Sequence, residues 1–486
     1  MGSITIGNFR QLFFDDYFIK DMQNVSRKLH SPVFREIVLS SDSPADKASA
    51  MFMVVLKDDG KYKAWYRCDH IGAPEVRNPR HAAYAESKDG IHWEKPSLGL
   101  FEINGSKDNN LVWMGPGSNL APFIDSNPNV REDQRYKAII RTSKADQHHP
   151  IIGTSGGLDA AVYGLVSPDG IHWNLIQDTP ILTEGPFDSF NIPFWDPLIQ
   201  EYVIYTRGIC GVKDSNSQEE NIDIKSIEYG KTMWDFFGGV RWIRRSTSKD
   251  FINWTPLQDI NTGDTPFEHL YTNSCTPYHR APNIYLMFPS RYVIEHTPDN
   301  DWIHGEGVND IVLMSSRDGI NFDRTFMEGF IRPGLDIENW HERGVYMEKG
   351  ILQTSDNEMS MYLSEHIRYP SSRIRRLTIR TDGFVSVNSG FSGGEFISHD
   401  FILEGDQLEL NYSTSAAGYL KAELQDLEGT PIPGFSIQEC PEKFGDEIDG
   451  IIKWNNKENL RELLGKSVRL KVALKDADLF SLKFLK

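Results

Sequence analysis

The sequence predicts an all-β chain, with a five-bladed β-propeller over residues 1–390 and a small β-sandwich over residues 391–486. Three observations carry that expectation. A turn motif recurs five times, a strand signature precedes it in each unit, and no long amphipathic helix interrupts the series.

The turn motif reads Ser87-Lys-Asp-Gly-Ile-His-Trp93 and recurs as Ser167-Pro-Asp-Gly-Ile-His-Trp173. Weaker copies are Ser248-Lys-Asp-Phe-Ile-Asn-Trp254, Ser316-Arg-Asp-Gly-Ile-Asn-Phe322 and Thr381-Asp-Gly-Phe384, which gives a period of 64 to 81 residues. Asp-Gly between alternating apolar runs marks a hairpin, because glycine accepts the positive φ of a tight turn. Before each turn comes a strand such as Lys61-Tyr-Lys-Ala-Trp-Tyr-Arg67, Arg135-Tyr-Lys-Ala-Ile-Ile-Arg141 or Glu201-Tyr-Val-Ile-Tyr-Thr-Arg207, with looser versions at 283–291 and 358–366. A further apolar run lies upstream of each, at 49–56, 119–125, 190–195, 271–278 and 345–353. Each unit therefore holds four strands, and radial repetition of such units protects their edges. The apolar run 11–19 is expected to pair with the last blade and close the ring. Beyond Gly393-Gly394 the motif stops. Short alternating strands at 407–412, 419–425, 468–474 and 479–484, with one short helix at 457–464, read as the appended sandwich.

At 486 residues the chain exceeds one ordinary core. Its 11 Trp, 18 Tyr and 27 Phe supply that core and leave aromatics for a cleft. A net charge of −18, with no run of five Lys/Arg, argues against nucleic acid or an anionic membrane as partner. Apolar stretches such as 51–56 are far too short to span a bilayer, so a soluble protein is expected. Cys68, Cys210, Cys275 and Cys440 lack metal-ligand spacing and read as buried free thiols. No metal or organic cofactor is expected, and a structural calcium is left open. Met1-Gly2-Ser3 reads as a cloning remnant. A leader upstream would imply a periplasmic or secreted protein, and otherwise a cytoplasmic one.

Propeller geometry turns strand order into a map of faces. The Asp-Gly turns fall on the bottom, where their His and Trp serve structure. The top collects the starts of the innermost strands and the ends of the second strands, and three sets of residues belong there. Arg67, Arg141, Arg207 and Arg291 end the second strands, with His366 in the fifth blade. Such donors suit hydroxyl, carboxylate or phosphate groups, or pair with carboxylates between blades. Asp46, Asp188, Glu268 and Glu342 stand just before innermost strands. Cleavage of a glycosidic bond needs two carboxyl groups, one giving a proton and one acting as nucleophile or base. Each of the four also admits a plain salt-bridge role. Asn119, Asn191, Asn273, Trp113, Trp302 and Trp340 complete the face with amides and aromatics suited to sugars, or cap the core. His148-His149 and Glu439-Cys440-Pro441 lack a context that would make them sites.

The five turns, the four-strand units and the trailing strands resemble the five-bladed propeller glycoside hydrolases of families 32, 43 and 130. Leu12-Phe-Phe-Asp-Asp-Tyr-Phe-Ile19 and the stretch Arg373-Ile-Arg-Arg-Leu-Thr-Ile-Arg-Thr-Asp-Gly-Phe-Val-Ser-Val387 are similar to a group of bacterial glycosyl hydrolase-like proteins. In families 32 and 43 the catalytic carboxylates open the inner strands of the first three blades. By position that resemblance implies Asp46 and Asp188, and leaves the second blade without an assigned residue. The family 32 signatures are absent, and Trp195-Asp196-Pro197 matches one of them only in Asp-Pro. The expected function is an exo-acting glycoside hydrolase on an oligosaccharide or polysaccharide. The alternatives are a glycoside phosphorylase with phosphate on the arginines, and a non-catalytic glycan-binding propeller.

Overall fold

The computed structural model describes every residue except 1–2, 43–50, 70–79, 104, 116, 144–159, 211, 215–216, 221–239, 297–306, 341–343, 368 and 456. The chain is almost entirely β. Five sheets follow one another, each built on four strands hydrogen-bonded antiparallel in order, and the first and fifth each carry one more short strand, Leu111–Trp113 and Leu352–Ser355.

The first sheet runs Met51–Asp58, Lys61–Asp69, Arg80–Ser87 and Trp93–Glu94. The second runs Ser118–Ile124, Tyr136–Ser143, Ala160–Ser167 and Asn174–Leu175. Ile192–Asp196, Glu201–Cys210, Val240–Ser248 and Gln258–Asp259 form the third. The fourth holds Thr276–Tyr278, Ala281–Met287, Met314–Ser316 and Phe322–Asp323. It is prolonged by His269–Leu270, Ser290–Val293 and Val308–Ile311 beyond a kink at Ser274, where φ is 42°. The fifth runs Val345–Met347, Glu358–Glu365, Arg373–Arg380 and then Val33–Ser40, so its outer strand comes from the N-terminal part of the chain.

The series closes on itself. Asn119 Nδ2 of the second sheet donates to Ser189 O at the opening of the third (3.0 Å), and Ser189 Oγ donates to Tyr271 O of the fourth (2.6 Å). Ser274 Oγ then donates to Met347 O of the fifth (2.7 Å), and Lys349 N to Met53 O of the first (3.0 Å). Arg67 Nη1 reaching Asn119 Oδ1 (3.3 Å) completes the circuit.

The repeated turn explains itself locally. In Ser167–Trp173 the Asp169 carboxylate accepts Ile171 N and His172 N (2.8 and 2.9 Å), and Ser167 Oγ accepts Gly170 N (2.8 Å). Burial works against ionisation of Asp169, but the His172 and Ile171 donors outweigh it and hold the carboxyl down to about 2. Gly170 stands at φ 80°, and a Cβ there would meet the Trp65 ring at 2.7 Å. Its carbonyl accepts Trp173 Nε1 from its own turn and Trp65 Nε1 from the first sheet (3.0 and 2.6 Å). Tyr205 on Gly319 O and Tyr362 on Gly90 O repeat this contact between neighbouring sheets (2.6 and 2.8 Å). Asp169→Ala leaves those N–H groups short of acceptors, and is expected to cost about 1–3 kcal/mol, read as a lower denaturant midpoint.

The N-terminal run departs from expectation. Gln11–Leu12 pairs with Ser481 and Leu482, and Ile19–Gln23 with Glu395–Ser398, while Ser26–Leu29 pairs with Val385–Asn388. Only Val33–Ser40 joins the fifth sheet. The reason is apolar packing: Phe13, Phe14 and Phe18 lie against Phe396, Phe384 and Phe401 (centroids 6.0, 6.1 and 5.8 Å), within the core of the C-terminal part. Residues 11–29 and 385–389 therefore share one nine-stranded network with the strands after 390, so strand pairing does not divide the chain at that residue. Two 19-residue strands, Gln407–Gln425 and Ser467–Leu485, pair along their lengths as its backbone. The expected helix at 457–464 is only a 3₁₀ turn at Arg461–Leu463. Cys68, Cys275 and Cys440 are buried. Glu439 caps a local loop by accepting Gly434 N and Ser436 N (3.1 and 3.2 Å).

Candidate functional site

Antiparallel register brings the end of each second strand opposite the start of its innermost strand. Arg67 pairs with Met51, Arg141 with Ser118 and Arg291 with Leu270. Arg207 lies two residues past Tyr205, which faces Ile192, and His366 follows Glu365, which faces Val345. Innermost strands open here with strained backbone. Phe52, Asn119 and Ser274 have φ of 56°, 62° and 42°, and the first two sit in bulges. Non-glycine residues in this region cost free energy and concentrate at functional sites.

Four aromatics from these openings form a wall. Phe52 packs on Phe190 and Tyr346 (5.2 and 6.1 Å), and Tyr346 stacks on Tyr271 (5.7 Å, 26°). Two guanidiniums lie over it, that of Arg67 on Phe52 and that of Arg207 on Tyr271, each 5.0 Å from the ring centroid. Asp188 accepts a hydrogen bond from Arg207 Nη1, and its side chain keeps 24% of its exposure. Carboxylate, guanidinium and aromatic thus meet at one point.

Glu268 is placed differently. It pairs with Arg291 at 3.3 Å and with Arg324, whose side chain is fully buried, at 2.6 Å. Arg291 also meets Asp310 (2.5 Å). Removing one partner of a buried pair strands the other. Glu268→Gln is therefore expected to destabilise the fold by about 3 kcal/mol, read in chemical denaturation.

The three asparagines are buried and bonded to backbone. Asn119 Nδ2 reaches Ser189 O, Asn191 Nδ2 reaches Phe187 O (3.0 Å) and Asn273 Nδ2 reaches Phe190 O (2.9 Å). Their amides hold the strand openings in place. His366 lies between Asp336 (2.8 Å) and Glu338 (2.9 Å), and Trp340, 41% exposed, donates Nε1 to Gly334 O (2.6 Å). Arg141 is half-buried at the same end of its strand, and Trp113 is in the core of the first two sheets. Asp196 lies at the far end of its strand, accepting Leu198 N (2.8 Å) and Tyr285 OH. Asp46, Glu342, Trp302 and His148-His149 lie outside the described residues. Among the described residues no three His, Cys, Asp or Glu side chains group to hold a metal ion.

Three groups at or beside this site escaped the sequence reading. Glu348, in the innermost strand region of the fifth sheet, accepts Met53 N and Ser364 Oγ. Burial pushes its carboxyl up to about 8, against the pull of those bonds and of Arg67. A glutamate inside an apolar inner strand is the signal that marked it. Arg241, from the third strand of the third sheet, lies between the Tyr271 and Tyr292 rings (5.6 and 4.8 Å). His269 accepts Arg241 N at Nδ1 (3.2 Å), and burial together with Arg241 lowers it to about 4. Neither carried a sequence signal, since both depend on which loops and strands meet.

No protein-family model and no curated protein matches the chain. Solved structures with a likeness include a protein titled only a glycoside hydrolase, at 13% identity, 72% of this chain, 92% of that chain and TM-score 0.44. Another is an N-acetylgalactosamine deacetylase from F. plautii in complex with blood group B trisaccharide (13%, 74% and 96%, 0.45). A third is a family 43 arabinoxylan arabinofuranohydrolase from Bacillus subtilis in complex with cellotetraose (12%, 92% and 97%, 0.42). Likeness of this degree does not fix a reaction.

Proposed function

We propose that the chain is a glycoside hydrolase, exo-acting on an oligosaccharide or polysaccharide, with its site where the five innermost strands open. The observation that carries the proposal is Asp188, held by Arg207 beside the Phe52–Phe190–Tyr346–Tyr271 wall. An oriented, part-exposed carboxylate is what attack on a sugar ring requires, since it acts as nucleophile or base, while the buried Tyr271 ring seats the guanidinium that holds it. Glu268, tied to Arg291 and Arg324, serves to position blade four's opening. Glu342 and Asp46 are the remaining candidates for the proton donor. A panel of glycans and aryl glycosides, read by sugar release, tests the proposal. Sugar release lost in Asp188→Asn supports it, and no release from any member by the native chain overturns it.

The second reading, a glycoside phosphorylase, is favoured by one observation, a buried Arg241 guanidinium with no carboxylate on it among the described residues. Sugar release that depends on added phosphate distinguishes it.

A further inference from the structure

Among the described residues, five arginines are more than nine-tenths buried: Arg10, Arg207, Arg241, Arg324 and Arg376. Four have a carboxylate on the guanidinium. Arg10 meets Asp382 and Glu409, Arg207 meets Asp188, Arg324 meets Glu268, and Arg376 meets Glu36 and Glu358. Arg241 has no carboxylate among the described residues. Its Nε is buried without a hydrogen-bond partner, and its side chain is flanked by Tyr271 and Tyr292. Burial and the like charge of Arg207 both act against its cation. The adjacent His269 is held neutral and offers no negative charge.

A buried cation with no counter-ion is costly, and proteins retain one where something else brings the charge. We infer that Arg241, with Arg207 beside the shared Tyr271 ring, is a subsite for an oxyanion carried in by the ligand. A guanidinium is a planar fork that grips a carboxylate, sulfate or phosphate through two parallel N–H bonds. The two tyrosine rings fix the side chain's path without consuming that fork. The anion is a substituent on the saccharide, such as a uronate carboxylate, or a free phosphate. The first source deepens the proposal above and rests on it, while the subsite itself does not.

The test is thermal unfolding of the full chain at constant ionic strength with sodium phosphate, glucuronate, galacturonate or glucose. At least one anion is expected to raise the midpoint by several degrees, and glucose is not. In Arg241→Gln the anion's apparent affinity should fall by about tenfold or more. Without ligand, that variant should unfold at or above the native temperature, because a buried charge has been removed. Arg241→Lys, which keeps the charge and loses the fork, should keep part of the shift, and it reads the subsite if the glutamine variant fails to fold. A uronate effect larger than that of phosphate places the anion on a sugar, and the reverse places it as free phosphate. No anion shifting the native midpoint, or a shift undiminished in Arg241→Gln, overturns the subsite. Release of neutral sugars without any anion effect would sink the subsite and leave the hydrolase standing. Anion binding without sugar release would do the opposite.

Discussion

Asp188→Asn is expected to lower turnover by about a hundredfold to ten-thousandfold, the range for loss of a carboxylate that reacts or moves a proton. The side chain keeps its shape, so Asn Oδ1 still accepts from Arg207, but the negative charge is gone. Arg207 is then left buried beside Arg241 with no counter-ion, which adds a stability loss of about 1–3 kcal/mol. The two effects separate in measurement, since turnover per folded molecule is taken below the unfolding transition. Near-native turnover in Asp188→Asn removes this residue from the reaction, and the search moves to Glu342 and Asp46. Glu268→Gln is the companion experiment, because its expected effect lies mainly in stability.

Glu348→Gln is expected to flatten the dependence of stability on pH. The carboxyl stands near 4.5 when unfolded and is pushed up to about 8 by burial between the fifth and first sheets. Its contribution is whole below about pH 4.5, declines as the unfolded carboxyl ionises, and is lost as pH rises through about 8. The difference spans roughly 4–5 kcal/mol, because each tenfold gain in proton affinity is worth about 1.4 kcal/mol. Glutamine has no proton to release, so the variant should show little of this slope. The neighbouring Lys349 is lowered to about 8 by burial, so its effect lies at higher pH and has the opposite sign. Urea midpoints at several pH values from 5 to 8 give the comparison. Equal slopes in the native chain and in Glu348→Gln would show that the carboxyl is ionised in the fold.

Much of the strand order was legible because it rests on short-range physics. Asp-Gly turns make their hydrogen bonds within a few residues, as Asp169 does with Ile171 and His172, so the motif announces the hairpin wherever it occurs. Weaker copies announce it less well for a physical reason. Phe251 replaces glycine at φ 66° and offsets that strain by packing on Phe123 and Tyr202 (5.6 and 5.2 Å), neighbours no local pattern names. The same limit explains the N-terminal run. Its alternation says that Phe13 and Phe18 must be covered, but Phe396 and Phe401, which cover them, lie almost four hundred residues away.

The site divides along the same line. Sequence alone determined that Arg67, Arg141, Arg207 and Arg291 end equivalent strands and that Asp188 and Glu268 precede inner strands, because strand period and turn spacing set both. Only the tertiary structure decided what those groups do. Asp188 and Glu268 look alike in the sequence, yet one meets a single arginine beside an aromatic wall and the other is wedged between Arg291 and a fully buried Arg324. Asn119 and Asn273, whose amides suit sugar hydroxyls as well as a structural role, donate to the backbone of a neighbouring sheet. Arg241 gained its meaning from the lack of a carboxylate on it among the described residues. Charge balance is a sum over neighbours brought together from distant parts of the chain, and no local pattern of residues contains that sum.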